Sequence, residues 1–222
     1  KHFRARGGKA LYLGTEHGSV AYRMYAKQGF VGIEDRSGYM TCTAGPLERF
    51  EAEYFAKGPA TVSVLDWQHW PTASALFAGA FPGVVRSSNL RLHGRTLTEG
   101  PFLPVIREHR RQPDAKPKAY ALQKDNGAVV GFAMRDIHPS WPDAGQLDLW
   151  CHPDHWDRAD ELIAPFDLSA AGRTIAYGDS DSPQRSRALA AAGFKPIGTL
   201  PRFVAANVAK TRFTDVIVYD RG

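Results

Sequence analysis

The chain has little cysteine. Its 222 residues include only Cys42 and Cys151, too few for a disulfide framework and wrongly spaced for a metal-binding pair. The setting this predicts is reducing and cytoplasmic. Long apolar runs are lacking too, so no segment reads as a membrane span. Lys1 to Lys9 is basic and contains glycine, and no apolar stretch follows of the kind a secretory leader requires. Neither sign of charge dominates: 28 basic against 23 acidic residues leave a formal +5. That excess suits solubility or an anionic ligand. The basic residues are scattered, and the densest run, Arg107, His109, Arg110 and Arg111, reads as a solvated face rather than a nucleic-acid surface.

What is present is a core and a repeat. An apolar content of 43% with 11% aromatics supports a buried core for one or two domains. The stretch Gly14-Thr15-Glu16-His17-Gly18-Ser19 through Tyr25 to Gly29-Phe30 returns as Gly178-Asp179-Ser180-Asp181-Ser182-Pro183 through Leu189 to Gly193-Phe194, without a gap, at an offset of 164 residues. Each copy has a β-rich run before its first glycine and a helical stretch ending in Gly-Phe. Self-similarity this long predicts a duplicated domain. The second copy falls at the end of a domain and the first at the start of the chain. The expectation is therefore the tail of one domain over residues 1–43, a linker over 44–59, and a complete domain over 60–222.

Local signals fill in the elements. Gly7-Gly8 reads as a helix stop. Ser19 reads as the cap of a helix running to Gln28. Residues 30–33 and 39–43 read as a strand pair around Asp35-Arg36-Ser37-Gly38. Beyond the linker come a strand at 61–65, helical stretches near 72–80 and 102–111, and a hairpin turning at Asp125-Asn126-Gly127. Strands at 146–150 and 174–178 flank a helix at 157–166. The order predicts a mixed α/β sheet whose strands at 146–151 and 174–178 are parallel neighbours that splay apart at one end.

Ala21, Tyr25, Lys27, Gly29 and Phe30 match the A-x-x-x-Y-x-K-x-G-F helix of the GNAT acetyltransferase superfamily. The Asp125-Asn126-Gly127 turn before Val130-Gly131-Phe132, and His152-Pro153 after an apolar strand, resemble further parts of that family. The resemblance implies a GNAT-like acyl-CoA N-acyltransferase fold, as the back half of one unit followed by one complete unit. It also implies acetyl-CoA as co-substrate, held in the splay with its pyrophosphate at a helix N-terminus, and an amine acceptor, either a small molecule or a protein. A first unit present as a tail leaves a sheet face to be covered by the rest of this chain, by a mate of the same chain or by its missing front half.

The second unit departs from the family pattern. His152 to Glu161 contains no glycine, which would let backbone approach phosphates. It carries Asp154, Asp157, Asp160 and Glu161 against the single fixed cation Arg158. Tyr25, which the resemblance makes a general acid for the leaving thiolate, has Leu189 as its counterpart. The candidate catalytic residues are Tyr25 and Asp148. Asp148 reads as a base beside the cleft or as a polar strand residue. The candidate coenzyme contacts are Ala21, Lys27, Arg158 and Ser186. Lys27 also reads as a solvated helix residue, and Ser186 lies in a helix start where capping competes with phosphate binding. His138, His152, His155 and Asp154 do not complete a metal set. The reading is a fragment of a tandem N-acetyltransferase; the alternative is a catalytically silent binding or structural module.

Overall fold

A computed structural model describes residues 2–141, 143–169 and 172–222. The first elements are α1 (His2–Ala5), β1 (Ala10–Gly14), α2 (Val20–Lys27), β2 (Val31–Gly32) and β3 (Tyr39–Thr43). Their strands form an antiparallel sheet in the order β1-β3-β2. Then come α3 (Leu47–Tyr54), β4 (Ala60–Val64), α4 (Ala73–Ala78), β5 (Val85–Ser87), β6 (Leu92–His93) and α5 (Glu99–Arg111). The rest of the chain supplies β7 (Ala119–Lys124), β8 (Val129–Ile137), β9 (Gly145–Cys151), a 3-10 turn at Pro153–Arg158, α6 (Ala159–Ile163), β10 (Thr174–Asp179), α7 (Pro183–Ala191), β11 (Lys195–Ala205) and β12 (Phe213–Arg221).

Among the described residues, β4 and β7–β12 make one seven-stranded sheet in the order β11-β12-β10-β9-β8-β7-β4. All its pairings are antiparallel except β9 with β10. β7 and β8 join at the expected turn, with Gly127 at φ +85°. β9 is buried along its whole length, as expected of a central strand covered on both faces. Phe77 and Phe102 close over Phe132 on one face. On the other face, Leu162 of α6 lies against Gly131. The sequence expectation of a helix over 157–166 is corrected here. The turn starts earlier, at Pro153, in 3-10 form, and the α-helix ends at Ile163. His152 accepts from the Asp154 N–H and starts the turn before the aspartates are reached. The small hairpin of β5 and β6 was not legible in the sequence.

The three-stranded sheet is not left open. Ile33, Ala78 and Leu97 pack together with Tyr12 and Tyr39, so α4 and the loop before α5 cover one face. Met40 in β3 is fully buried. The segment 44–59 is fastened too. The Tyr54 carbonyl accepts from Lys124 at 3.2 Å and Asn126 at 3.1 Å, and the Phe55 carbonyl accepts from His155 Nε2 at 3.0 Å. These donors meet the orphan carbonyls at the end of α3, and Phe55 is buried in the main core. Among the described residues, no helix is long and apolar enough to cross a membrane.

Gly38 marks how tightly the first sheet is closed. A Cβ there would lie 1.9 Å from the Thr15 carbonyl oxygen, while Thr15 N–H donates to the Gly38 carbonyl at 2.8 Å. Gly38→Ala is expected to destabilise the chain by about 1–3 kcal/mol, the usual range for overpacking. An unchanged urea midpoint would contradict this.

Candidate functional site

β9 and β10 pair in parallel through Gly145 with Thr174, Gln146 with Ile175 and Leu147 with Ala176. There the shared ladder stops. β9 keeps its pairing to β8 out to Cys151, and β10 keeps its pairing to β12 out to Asp179. The two strands therefore splay at their C-terminal ends, as the order of elements predicts.

The opening is filled by the chain itself. β5 lies against both β9 and β10. From β9, Asp148 accepts hydrogen bonds from Ser87 Oγ, from the Ser88 N–H at 2.9 Å and from the Asn89 N–H at 3.0 Å. From β10, Asp179 accepts from the N–H groups of Val84 at 2.9 Å and Val85 at 2.8 Å. Trp150 is fully buried there, with the guanidinium carbons of Arg86 and Arg185 4.9 and 5.0 Å from its ring centroid. Gly83 has φ +108°, and a Cβ on it would come within 2.8 Å of Trp150 and 3.1 Å of Ser182. Conformation and space both require glycine there. Arg86 also donates to the carbonyls of Phe77 and Gly79, which ties the segment to the C-terminal end of α4.

The charges at this junction are buried. Burial pushes the Asp148 carboxyl up, opposed by its hydrogen bonds from Ser87, Ser88 and Asn89. Burial, aided by Arg95 and Arg185, pushes the Arg86 guanidinium down to about 9, so it stays charged at neutral pH. Burial also lowers Arg185, opposed by Asp179, whose carboxylate lies 3.5 Å from Arg185 Nη1. Asp148, read from the sequence as a candidate base, thus sits under the Ser87–Asn89 turn and is 3% exposed.

The repeat is built by one device. Gly29 and Gly193 both lie at positive φ. Phe30 N–H returns to the Tyr25 carbonyl at 3.1 Å, and Gly29 N–H to Ala26 at 3.0 Å. In the second copy, Phe194 returns to Leu189 and Gly193 to Ala190, each at 3.0 Å. Both are Schellman caps, in which a hydrophobic contact joins the residue after the glycine to the helix residue five before it. In the first copy this contact is Tyr25 edge-on to Phe30 at 5.6 Å. In the second, Leu189 and Phe194 are both buried. Tyr25 is therefore packed at its ring, and among the described residues its hydroxyl has no hydrogen-bond partner.

The remaining candidates are dispersed. Ala21 lies half-buried in the first turn of α2, and Lys27 is exposed in its last turn. Arg158 is engaged, donating to Glu161 at 2.7 Å and to the Ala60 carbonyl at 2.9 Å. Ser186 Oγ accepts from the Tyr219 hydroxyl at 2.8 Å, so it bonds to β12. Sequence reasoning missed Lys57 and Arg187. With Asp154, Trp156, Asp157 and Gln184 they line a groove of about 430 Å³ between the 3-10 turn and α7. A neighbouring groove of about 790 Å³ runs between α6 and α7 past Asp160, Ile163 and Ala192. No short motif marks Lys57, since it reaches the groove from the end of the connecting segment. His152 and His155 serve the fold: His152 stacks on Phe55 at 4.6 Å. Cys42 and Cys151 are free thiols, and burial raises that of Cys151.

This mixed α/β fold, with one parallel pair in its large sheet, is shared with solved N-acetyltransferases. An N-acetyltransferase from Staphylococcus aureus Mu50 superposes with a TM-score of 0.55 at 15% identity, over 74% of this chain and 98% of that one. A ribosomal-protein-alanine N-acetyltransferase from Brucella melitensis superposes at 0.53 and 15% identity, over 72% and 98%. A Salmonella typhimurium protein described as an acetyltransferase, with its cofactor acetyl-CoA, superposes at 0.51 and 16% identity, over 74% and 94%. At these identities the likeness is one of fold. No family model matches the sequence, and no curated protein matches it.

His152 gives this region a pH dependence. Burial, set against the nearby Asp154 carboxylate, lowers its imidazole to about 4. The unfolded chain takes up a proton near pH 6.5 that the folded chain refuses until about pH 4. Stability is therefore complete above about pH 6.5 and falls as the pH drops toward 4. His152→Asn keeps a capping acceptor and removes the titration. Its urea midpoint should fall less than that of the wild type between pH 7 and 4.5, and identical slopes would contradict the assignment.

Proposed function

We propose that the chain is part of a tandem N-acetyltransferase: the back half of a first unit over 1–43, a connecting segment over 44–59, and a complete second unit over 60–222. One observation supports this most. The order β1-β3-β2, with α2 between β1 and β2, repeats the order β10-β12-β11, with α7 between β10 and β11, and both helices end in the same cap. In the second unit β10 pairs with β9; in the first, β1 pairs with no strand among the described residues in the corresponding place. The front half of the first unit is the occupant this reading calls for, with a second copy of the chain as the alternative. The setting in this reading is the cytoplasm.

In this reading the first unit does the chemistry, with acetyl-CoA as donor and an amine as acceptor. The amine nitrogen attacks the thioester carbonyl carbon and loses its proton to a carboxylate or water. The C–S bond breaks, and Tyr25 protonates the departing thiolate. Ala21 and Lys27 would lie along the coenzyme on the same helix. The second unit is silent and shapes the first. Leu189 has no proton to give. Lys57 and Arg187 face Asp154 and Asp157 in the groove, so a diphosphate meets as many carboxylates as cations. Arg158 and Ser186 are committed elsewhere, and Asp148 anchors the turn above it. Packing of Ile33 and Tyr39 against Leu97 and Ala78 favours the shaping role.

Titrating the 222-residue chain with acetyl-CoA in a calorimeter tests the silent unit. Two missing charge-assisted contacts, about 1.5–3 kcal/mol each, would weaken a micromolar ligand by about 10²- to 10⁴-fold, to roughly 0.2 mM or weaker; micromolar binding would overturn the reading. In the protein completed with a front half, Tyr25→Phe should lower turnover by about 10²-fold or more, with coenzyme affinity unchanged. Equal turnover would leave Tyr25 as a capping contact alone.

A further inference from the structure

We propose that the segment from Val84 to Asn89 is a latch: an internal occupant of the opening between β9 and β10, with Asp148 and Asp179 as its two catches. The catches stand on the two diverging strands, one on each. Between them they take four backbone N–H groups, those of Val84, Val85, Ser88 and Asn89, together with the Ser87 hydroxyl. The segment is thus held in the opening mainly through its amides, by acceptors placed where the strands no longer pair with each other. Its side chains add the Ser87 and Arg86 contacts, two buried valines and the Asn89 amide, which donates to the Gln146 carbonyl at 3.3 Å. An extended chain carrying amide N–H groups would present the same donors.

The latch has the marks of a part that can leave. Its strand β5 spans three residues and pairs with the two-residue β6 across a register shift. It belongs to no larger sheet. Beneath it lies a set of buried donors that make no hydrogen bond among the described residues: Trp150 Nε1, Ser182 Oγ and the guanidinium nitrogens of Arg185, whose Nη1 is 3.5 Å from the Asp179 carboxylate. Unpaired buried donors are costly, and here they are concentrated at the floor of one opening. Lifting the segment would expose them to water or to an incoming ligand's carbonyl groups. In a two-state equilibrium, a ligand for the open form has its apparent affinity reduced by the fraction of molecules open. The ligand class, an acyl thioester on an amide-bearing arm, rests on the N-acetyltransferase reading above; the latch itself does not.

Hydrogen exchange and the Trp150 indole N–H signal in NMR test the latch without any ligand. In the wild-type chain, the amides of Val84, Val85, Ser88 and Asn89 should be protected. In the Asp148→Asn/Asp179→Asn double variant they should exchange about tenfold faster or more, with the Trp150 indole N–H, while the amides of β7 and β8 keep their protection. Ser87→Ala, which removes one donor and no buried charge, should show the same pattern more weakly, and it serves if the double variant does not fold. Wild-type exchange in the segment as fast as in the exposed 112–116 loop would overturn the proposal. So would fast segment exchange with the Trp150 indole still protected, because the opening would then remain shut. Acetyl-CoA titration of the opened variant separates the two readings. Tighter binding supports the latch and overturns the reading of the second unit as unable to hold the coenzyme. An exposed Trp150 with no gain in binding supports the latch and overturns coenzyme entry at this opening.

Discussion

The structure depends on the place where β9 and β10 stop pairing. Parallel strands that diverge inside a core leave polar backbone and an empty wedge, and neither is tolerated without compensation. Here the compensation is electrostatic as well as steric. Two carboxylates, Asp148 and Asp179, and two guanidiniums, Arg86 and Arg185, are buried around Trp150. A lone buried charge costs several kcal/mol, so the four depend on one another and on the amides of the 84–89 segment. That dependence carries outward. Arg86 fixes the end of α4, Asp179 fixes the approach to α7, and Gly83 admits the segment only because it has no side chain.

The repeated helix separates what a motif does for folding from what it does for chemistry. Gly-Phe after the helix is a Schellman cap in both copies, with matching hydrogen bonds. The position before it must supply a hydrophobic surface to the phenylalanine, and tyrosine and leucine both do so. The hydroxyl of Tyr25 adds nothing to the cap. The likeness of the pattern between the two helices is thus explained by folding alone.

The groove between the 3-10 turn and α7 shows how the 44–59 segment joins the larger sheet. α3 is fastened by Lys124, Asn126 and His155 through its terminal carbonyls, and this fixes where the chain passes on to Lys57 and β4. The same fastening brings Phe55 under His152 and Phe81. The segment that reads as a linker by its Gly-Pro boundaries is therefore part of the packing of the larger sheet.

By itself, the sequence determined the elements whose signals are local. Ser19, which accepts from Tyr22 N–H at 3.1 Å, and Gly29 fix the two ends of α2; Asn126-Gly127 fixes a hairpin; the 164-residue offset marks two helices as alike. Caps, turns and repeats act over a few residues, or by copying, so they can be read without a fold. The parallel pairing of β9 with β10 also followed, because a strand–helix–strand order leaves little choice. Tertiary structure decided the rest. Asp148 meets Ser87, Arg185 meets Trp150 and Lys57 meets Arg187 across long stretches of chain. Whether a carboxylate faces a ligand or a backbone amide depends on which distant segment fills the space above it. The Val84–Asn89 segment, short and set off by Pro82-Gly83, carries no periodic pattern to announce that it would fill the opening.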